Sequence, residues 1–212
     1  MNDEPHAFSI RRPMATASLI DETPGIPPFP VRRFSVREYR QLCESGLLSE
    51  NDRVELLEGW IVPKMTHNPP HDVCVQLVHE AVSALLPEGW TIRVQSSIST
   101  HDSEPEPDLA VVKGPVRRYT DHHPTGDEIA MLVEAADTSL TRDEHKAGMY
   151  ARAAVPVYWI VNLVENRIEV LSAPSPETSE YGSRTSYTAD SAVPVEVGGA
   201  FLGEIPVVDL LP

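Results

Sequence analysis

An α/β domain built on a mixed sheet is what this sequence predicts, and three observations carry that reading. Short, continuously apolar runs at residues 109–112, 131–133 and 157–161 suit strands covered on both faces. Between such runs lie two stretches with helical character, residues 71–86 and 142–154. The pair Glu58-Gly59 divides residues 52–65 into two apolar halves, the mark of a tight hairpin. Strands interleaved with helices in this way require a sheet with helices packed on its faces.

Taken in order, the chain opens with a proline-rich arm over residues 1–33. Pro24, Pro27, Pro28 and Pro30 around Gly25 oppose both helices and strand ladders. The domain proper then runs from 34 to 212. Ser35 can cap a first helix, with Glu38 three residues on as in a capping box, Tyr39 and Leu42 on the apolar side, and Gly46 at its end. The hairpin follows, with Glu55 near its start. Val75, Leu77, Val78, Val82, Leu85 and Leu86 give the second helix its apolar side, and Pro87 and Gly89 stop it. Residues 90–99 alternate, with Ile92, Val94, Ser96 and Ile98 on one side, and predict a half-buried strand.

Asp108, after Pro107, opens the strand at 109–112, and Glu134 closes the strand at 131–133. The intervening residues 114–127 form a polar loop containing His122 and His123. Lys146 sits in the helical stretch 142–154. Residues 156–161 make a strong strand that pairs with 167–172 across Glu165-Asn166. An exposed loop is expected over 173–182, and a short strand or turn with an apolar closing segment over 201–212.

Composition bounds the function. With 212 residues, 41% hydrophobic and 23% charged, the chain is a soluble globular protein of one domain plus the arm. It holds no apolar run long enough to span a bilayer, and its first residues lack the pattern of a secretory signal. Cys43 and Cys74 do not make a disulfide framework, which fits a reducing cytoplasm. A formal net charge of −15 opposes tight, non-specific binding to nucleic acid. Any basic patch has to come from Arg32, Arg33, Arg37 and Arg40, or from Arg117 and Arg118.

Two carboxylates at strand ends with a lysine nearby, Asp108, Glu134 and Lys146, can hold a hard divalent cation and position a water. The same residues have plainer readings. Asp108 can cap a strand, Glu134 and Lys146 can form a structural ion pair, and Glu55 or Glu58 can be a solvated hairpin charge. His67, His71, Cys74 and His79 fall in one region but match no closed zinc set. There is no glycine-rich phosphate loop and no identifiable Ser-His-Asp arrangement.

The runs RVELLEGWIV, EPDLAVV, LVEAADTSL, KAGMYARAAVPVYWIVNL and IPVVDLLP resemble the Uma-two family of putative restriction endonucleases, within the PD-(D/E)xK nuclease superfamily. The likeness spans residues 34–212, and YARAAVPVYWIV is its most specific part. It implies a restriction-endonuclease-like core and hydrolysis of DNA phosphodiesters with Mg2+ or Mn2+. Asp108, Glu134 and Glu55 would hold the metal, with the Ala135 carbonyl as a further ligand. The superfamily pattern places a lysine two residues after Glu134, where this chain has Ala136. In the family the lysine comes from the following helix, the place of Lys146. A histidine at the start of the second helix, here His71, would contact the scissile phosphate or help close the site. Double-strand cleavage would imply a homodimer. The different-class alternative is an interaction protein that keeps the fold without catalysis.

Overall fold

The computed structural model describes residues 30–137 and 139–212; the arm expected over 1–33 lies outside them through residue 29. Among the described residues, three α-helices and ten strands follow one another as α1 (Val36–Glu44), β1 (Val54–Leu57), β2 (Trp60–Pro63), α2 (Pro69–Leu85), β3 (Trp90–Val94), β4 (Leu109–Lys113) and β5 (Ile129–Ala136). Then come α3 (Leu140–Arg152), β6 (Val157–Asn162), β7 (Arg167–Ser175), β8 (Glu180–Thr188), β9 (Ala192–Val197) and β10 (Ala200–Pro206).

The centre is a six-stranded sheet in the order β3-β4-β5-β6-β7-β8. Only β5 and β6 run parallel, because α3 carries the chain back between them; the other neighbours are antiparallel. Alternation along the strands sorts side chains onto two faces. Leu109, Val111, Val133 and Trp159 pack under Val75, Val78 and Val82 of α2 and under Val193, Val195 and Ile205 of the β9–β10 hairpin. On the other face, Ala110, Leu132, Ala136, Tyr158 and Ile160 meet Ala147 and Tyr150 of α3. The sheet is thus covered on both sides, which accounts for the continuously apolar runs in β4, β5 and β6.

The local signals explain the smaller elements. Ser35 and Glu38 form the expected reciprocal cap of α1. Glu58 and Gly59 both take positive φ, 50° and 79°, as a two-residue hairpin turn requires. Gly59 is also packed so closely that an added Cβ would lie 2.6 Å from the Arg33 Cβ. Asn68 caps α2, and Pro69 and Pro70 occupy its first turn, where missing N–H groups cost nothing.

Two expectations need correction. The strand expected over 90–99 ends at Val94, because Gln95 turns left-handed at φ 43° and its N–H bonds to the Asp108 carbonyl at 2.9 Å. Ile98 is nonetheless fully buried, in a loop that folds back beneath the sheet. Residues 173–182 are not simply a loop: β7 continues to Ser175, and β8 begins at Glu180 as an edge strand. Its mostly exposed residues give no periodic apolar signal. The short strand expected over 201–212 is β10, which opens at Ala200 and pairs with β9, a strand not expected from the sequence.

Candidate active site

The site forms where β4 begins and β5 ends. Leu109 lies opposite Val133, so the next antiparallel pair outward is Asp108 opposite Glu134. The Asp108 N–H lies 3.4 Å from Glu134 Oε2, which ties the two strand ends together. Asp108 Oδ2 accepts the Ala135 N–H at 2.9 Å and faces His71 Nε2 at 3.0 Å. The Gln95 amide donates to Asp108 Oδ1 at 3.4 Å. His71 stands in the first turn of α2, its N–H held by the Asn68 cap at 3.1 Å.

From the other face, α3 supplies cations and a hydroxyl at helical spacing. Arg142, Lys146 and Tyr150 stand four residues apart and therefore share one side. Lys146 Nζ donates to Glu134 Oε1 at 2.9 Å, and the Tyr150 hydroxyl donates to the same oxygen at 3.0 Å. Glu55, on β1, brings its Oε1 to 3.8 Å from Lys146 Nζ, while its Oε2 accepts the Glu106 N–H at 3.1 Å. Glu55, Asp108, Glu134 and Lys146 are each 3–6% exposed. They line a cleft of about 490 Å³.

The residues named from sequence for metal and catalysis, Glu55, His71, Asp108, Glu134, Ala135 and Lys146, therefore all face one cavity. Glu58 stays outside it, bonded to Arg152 and His145. Cys74 is in the core beneath α2, away from any set with His79. His122 and His123 lie beside Glu128 and Glu104 at 3.4 and 3.2 Å. The basic patches do not reach the cleft: Arg32 pairs with Glu38, Arg40 with Glu104 and Arg118 with Glu128.

Ala136 accounts for the displaced lysine. It is 1% exposed and lies in the cluster with Ala147 and Tyr150, so a lysine there would have to enter the α3 interface. Lys146 reaches Glu134 from the helix instead, on a long stem that suits such a migration.

The electrostatics divide the carboxylates. Burial pushes Glu134 up from the ordinary carboxylate range, and Lys146 only partly draws it back. Asp143, one helical turn before Lys146, is also pushed up by burial against the pull of Lys146, to about 6. For Asp108 burial acts the same way, but His71, the Ala135 N–H and Gln95 outweigh it, and its carboxyl sits low. Burial opposes the charge on Lys146, yet Glu134, Glu55 and Asp143 more than restore it. The floor of the cleft is thus a charged lysine beneath carboxylates whose combined charge exceeds its own.

Sequence reasoning did not assign Gln95, Arg142 or Tyr150 to the site. Arg142 and Tyr150 were legible through their four-residue offset from Lys146. Gln95 was not, because its position depends on the left-handed turn that ends β3.

A mixed sheet whose parallel pair spans a crossover helix, over a buried carboxylate–lysine floor, defines the class: an α/β fold of the nuclease kind. The chain belongs to the Uma2 family, described as "Putative restriction endonuclease", whose family model matches residues 36–198. A similar solved structure is that of a putative nuclease belonging to DUF820 from Anabaena variabilis ATCC 29413. It superposes with a TM-score of 0.63 at 16% identity, covering 85% of this chain and 97% of that one. At that identity the likeness is one of fold. No curated protein matches this chain.

Proposed function

We propose that the protein is a divalent-metal-dependent endodeoxyribonuclease. The observation that carries this reading is the contact of Lys146 with Glu134 on the floor of the cleft, with Asp108 on the adjoining strand. The donors fit a hard ion: carboxylates of Asp108, Glu134 and Glu55, with the backbone of Ala135 alongside, suit Mg2+ or Mn2+. Such an ion, when bound, would supply Lewis-acid activation of water and neutralise phosphate charge.

The chain's own groups have separable tasks. His71, Gln95 and the Ala135 N–H orient Asp108. Tyr150 fixes one oxygen of Glu134. Lys146 places its ammonium where negative charge would develop on the phosphoryl group. Arg142 Nη1 is buried without a hydrogen bond and lines the same cleft, which suits a phosphate oxygen. DNA is the substrate on this reading, and a homodimer would provide one site for each strand.

One observation favours a second reading, an interaction protein that retains the fold. The cleft lining carries seven carboxylates, Glu50, Glu55, Glu106, Asp108, Glu134, Asp137 and Asp143, against Arg53, Lys64, Arg142 and Lys146. A polyanion would not enter such a cleft without bound cations. Incubation of supercoiled plasmid with Mg2+ or Mn2+ separates the two readings. Nicking or linearisation by the wild type, lost in Lys146→Met and in chelator, supports the nuclease. Intact plasmid across metals and DNA forms would leave the interaction protein.

A further inference from the structure

We propose that His67, His71 and Asp108 form a second metal site, distinct from the carboxylates of Glu134 and Glu55, that takes a borderline first-row ion such as zinc or cobalt. The inference deepens the nuclease reading in one respect, since Asp108 belongs to both donor sets, but its chemistry differs. Two imidazoles select ions that magnesium cannot imitate, because magnesium prefers oxygen ligands.

The geometry points to this site from three directions. One ligand atom from each of the three residues lies within 4.8 Å of the other two. The two imidazole rings are stacked, with centroids 4.2 Å apart and planes inclined by 16°, so only the more exposed His67 has to turn for both to face one ion. The Gln95 amide nitrogen lies 3.0 Å from His67 Nδ1 and 3.4 Å from Asp108 Oδ1. That NH2 group bridges the two acceptors and marks the place where their lone pairs converge.

The surroundings of His71 supply the remaining requirement. Its side chain is 9% exposed, and its Nδ1 is buried without a hydrogen bond. Asp72 Oδ1 is 3.5 Å from that nitrogen. In the ion-free site His71 Nε2–H donates to Asp108 Oδ2 at 3.0 Å; an ion would take the place of that proton, and the ring would keep its hydrogen on Nδ1, facing Asp72. An imidazole that ligates through one nitrogen and offers its other N–H to a carboxylate is the usual support for a histidine ligand. A small movement of Asp72, whose side chain is 58% exposed, would complete it.

The experiment is calorimetric titration of the full chain with Co2+ or Zn2+ alone, together with the visible absorption of the cobalt form. One ion should bind per chain, with bands of nitrogen–oxygen coordination. His67→Gln, a change at an exposed position, should weaken that ion by tenfold or more and alter the bands, whereas Glu134→Gln should leave its affinity near that of the wild type. Unchanged affinity and spectrum in His67→Gln would overturn the proposal. So would a comparable loss in Glu134→Gln, because the ion would then belong to the carboxylate floor. Failure of plasmid cleavage bears on the nuclease reading alone, since neither titration depends on turnover.

Discussion

Lys146 has two duties that pull in different directions. It neutralises Glu134 in a fully buried setting, and on the nuclease reading it serves the transition state. Replacing it with methionine keeps most of the stem and removes the charge. Cleavage should fall by about 10²–10³, as when a single oriented charge-stabilising donor is lost, while divalent-ion affinity stays level or rises. Stability should fall too, by roughly 3–5 kcal/mol where Glu134 is forced to remain ionised. The loss should depend on pH. Without its partner, the buried Glu134 carboxyl titrates above its unfolded value, so the folded state holds a proton that the unfolded state releases. Stability of Lys146→Met should therefore decline as pH rises from the ordinary carboxylate range toward alkaline values. Urea unfolding at acidic and at alkaline pH measures this, and a pH-independent deficit would mean that Glu134 keeps another counter-charge. The same raised carboxyls, Glu134 and Asp143, make metal binding expel protons, so Mn2+ affinity of the wild type should climb with pH.

At the scale of elements, the site depends on where secondary structures stop. Helix α2 starts at Pro69 because Asn68 caps it, and His71 is thereby fixed in its first turn, 3.0 Å from Asp108. Asn68 also bonds to Asp137, just past the end of β5, joining both edges of the site. Asn68→Ala should cost about 1 kcal/mol in chemical denaturation through the lost cap. Cleavage should decline beyond what that loss explains, because the His71–Asp108 contact loosens. Much of this level could be read from the sequence. The strands carrying Asp108 and Glu134 announced themselves as apolar runs, and the capping box of α1 and the hairpin turn as short-range motifs. Their register, which sets Asp108 opposite Glu134, could not be read, since pairing is decided by contacts far apart in the chain. The edge strand β8 was hidden for a related reason. Its residues are mostly solvent-facing, and it gains order from its ladder with β7 rather than from an apolar face.

For the whole molecule, charge sets the terms of any encounter with DNA. The formal charge is −15, and the cleft lining is acidic on balance. Of its cations, Lys64 pairs with Glu106 and Lys146 with Glu134, while Arg142 Nη1 stands only 3.9 Å from Glu55 without a hydrogen bond, and Arg53 forms no ion pair among the described residues. About two phosphate contacts would give a salt slope near −2 for duplex binding, far shallower than for a basic DNA-binding domain. Adding Mg2+ or Mn2+ should strengthen binding rather than compete with it, because the ions reverse the local sign. Anisotropy of a labelled duplex with uncleaving Lys146→Met protein reads both quantities. Weakening on addition of the ions would argue against a metal-bridged complex.

The ammonium of Lys146 also bears on the order of events after synthesis. Because it already sits among Glu55, Glu134 and Asp143, the acidic floor carries an internal counterion from the moment the domain folds. On the nuclease reading, loading of an ion is then an addition to a finished site rather than an assembly around that ion.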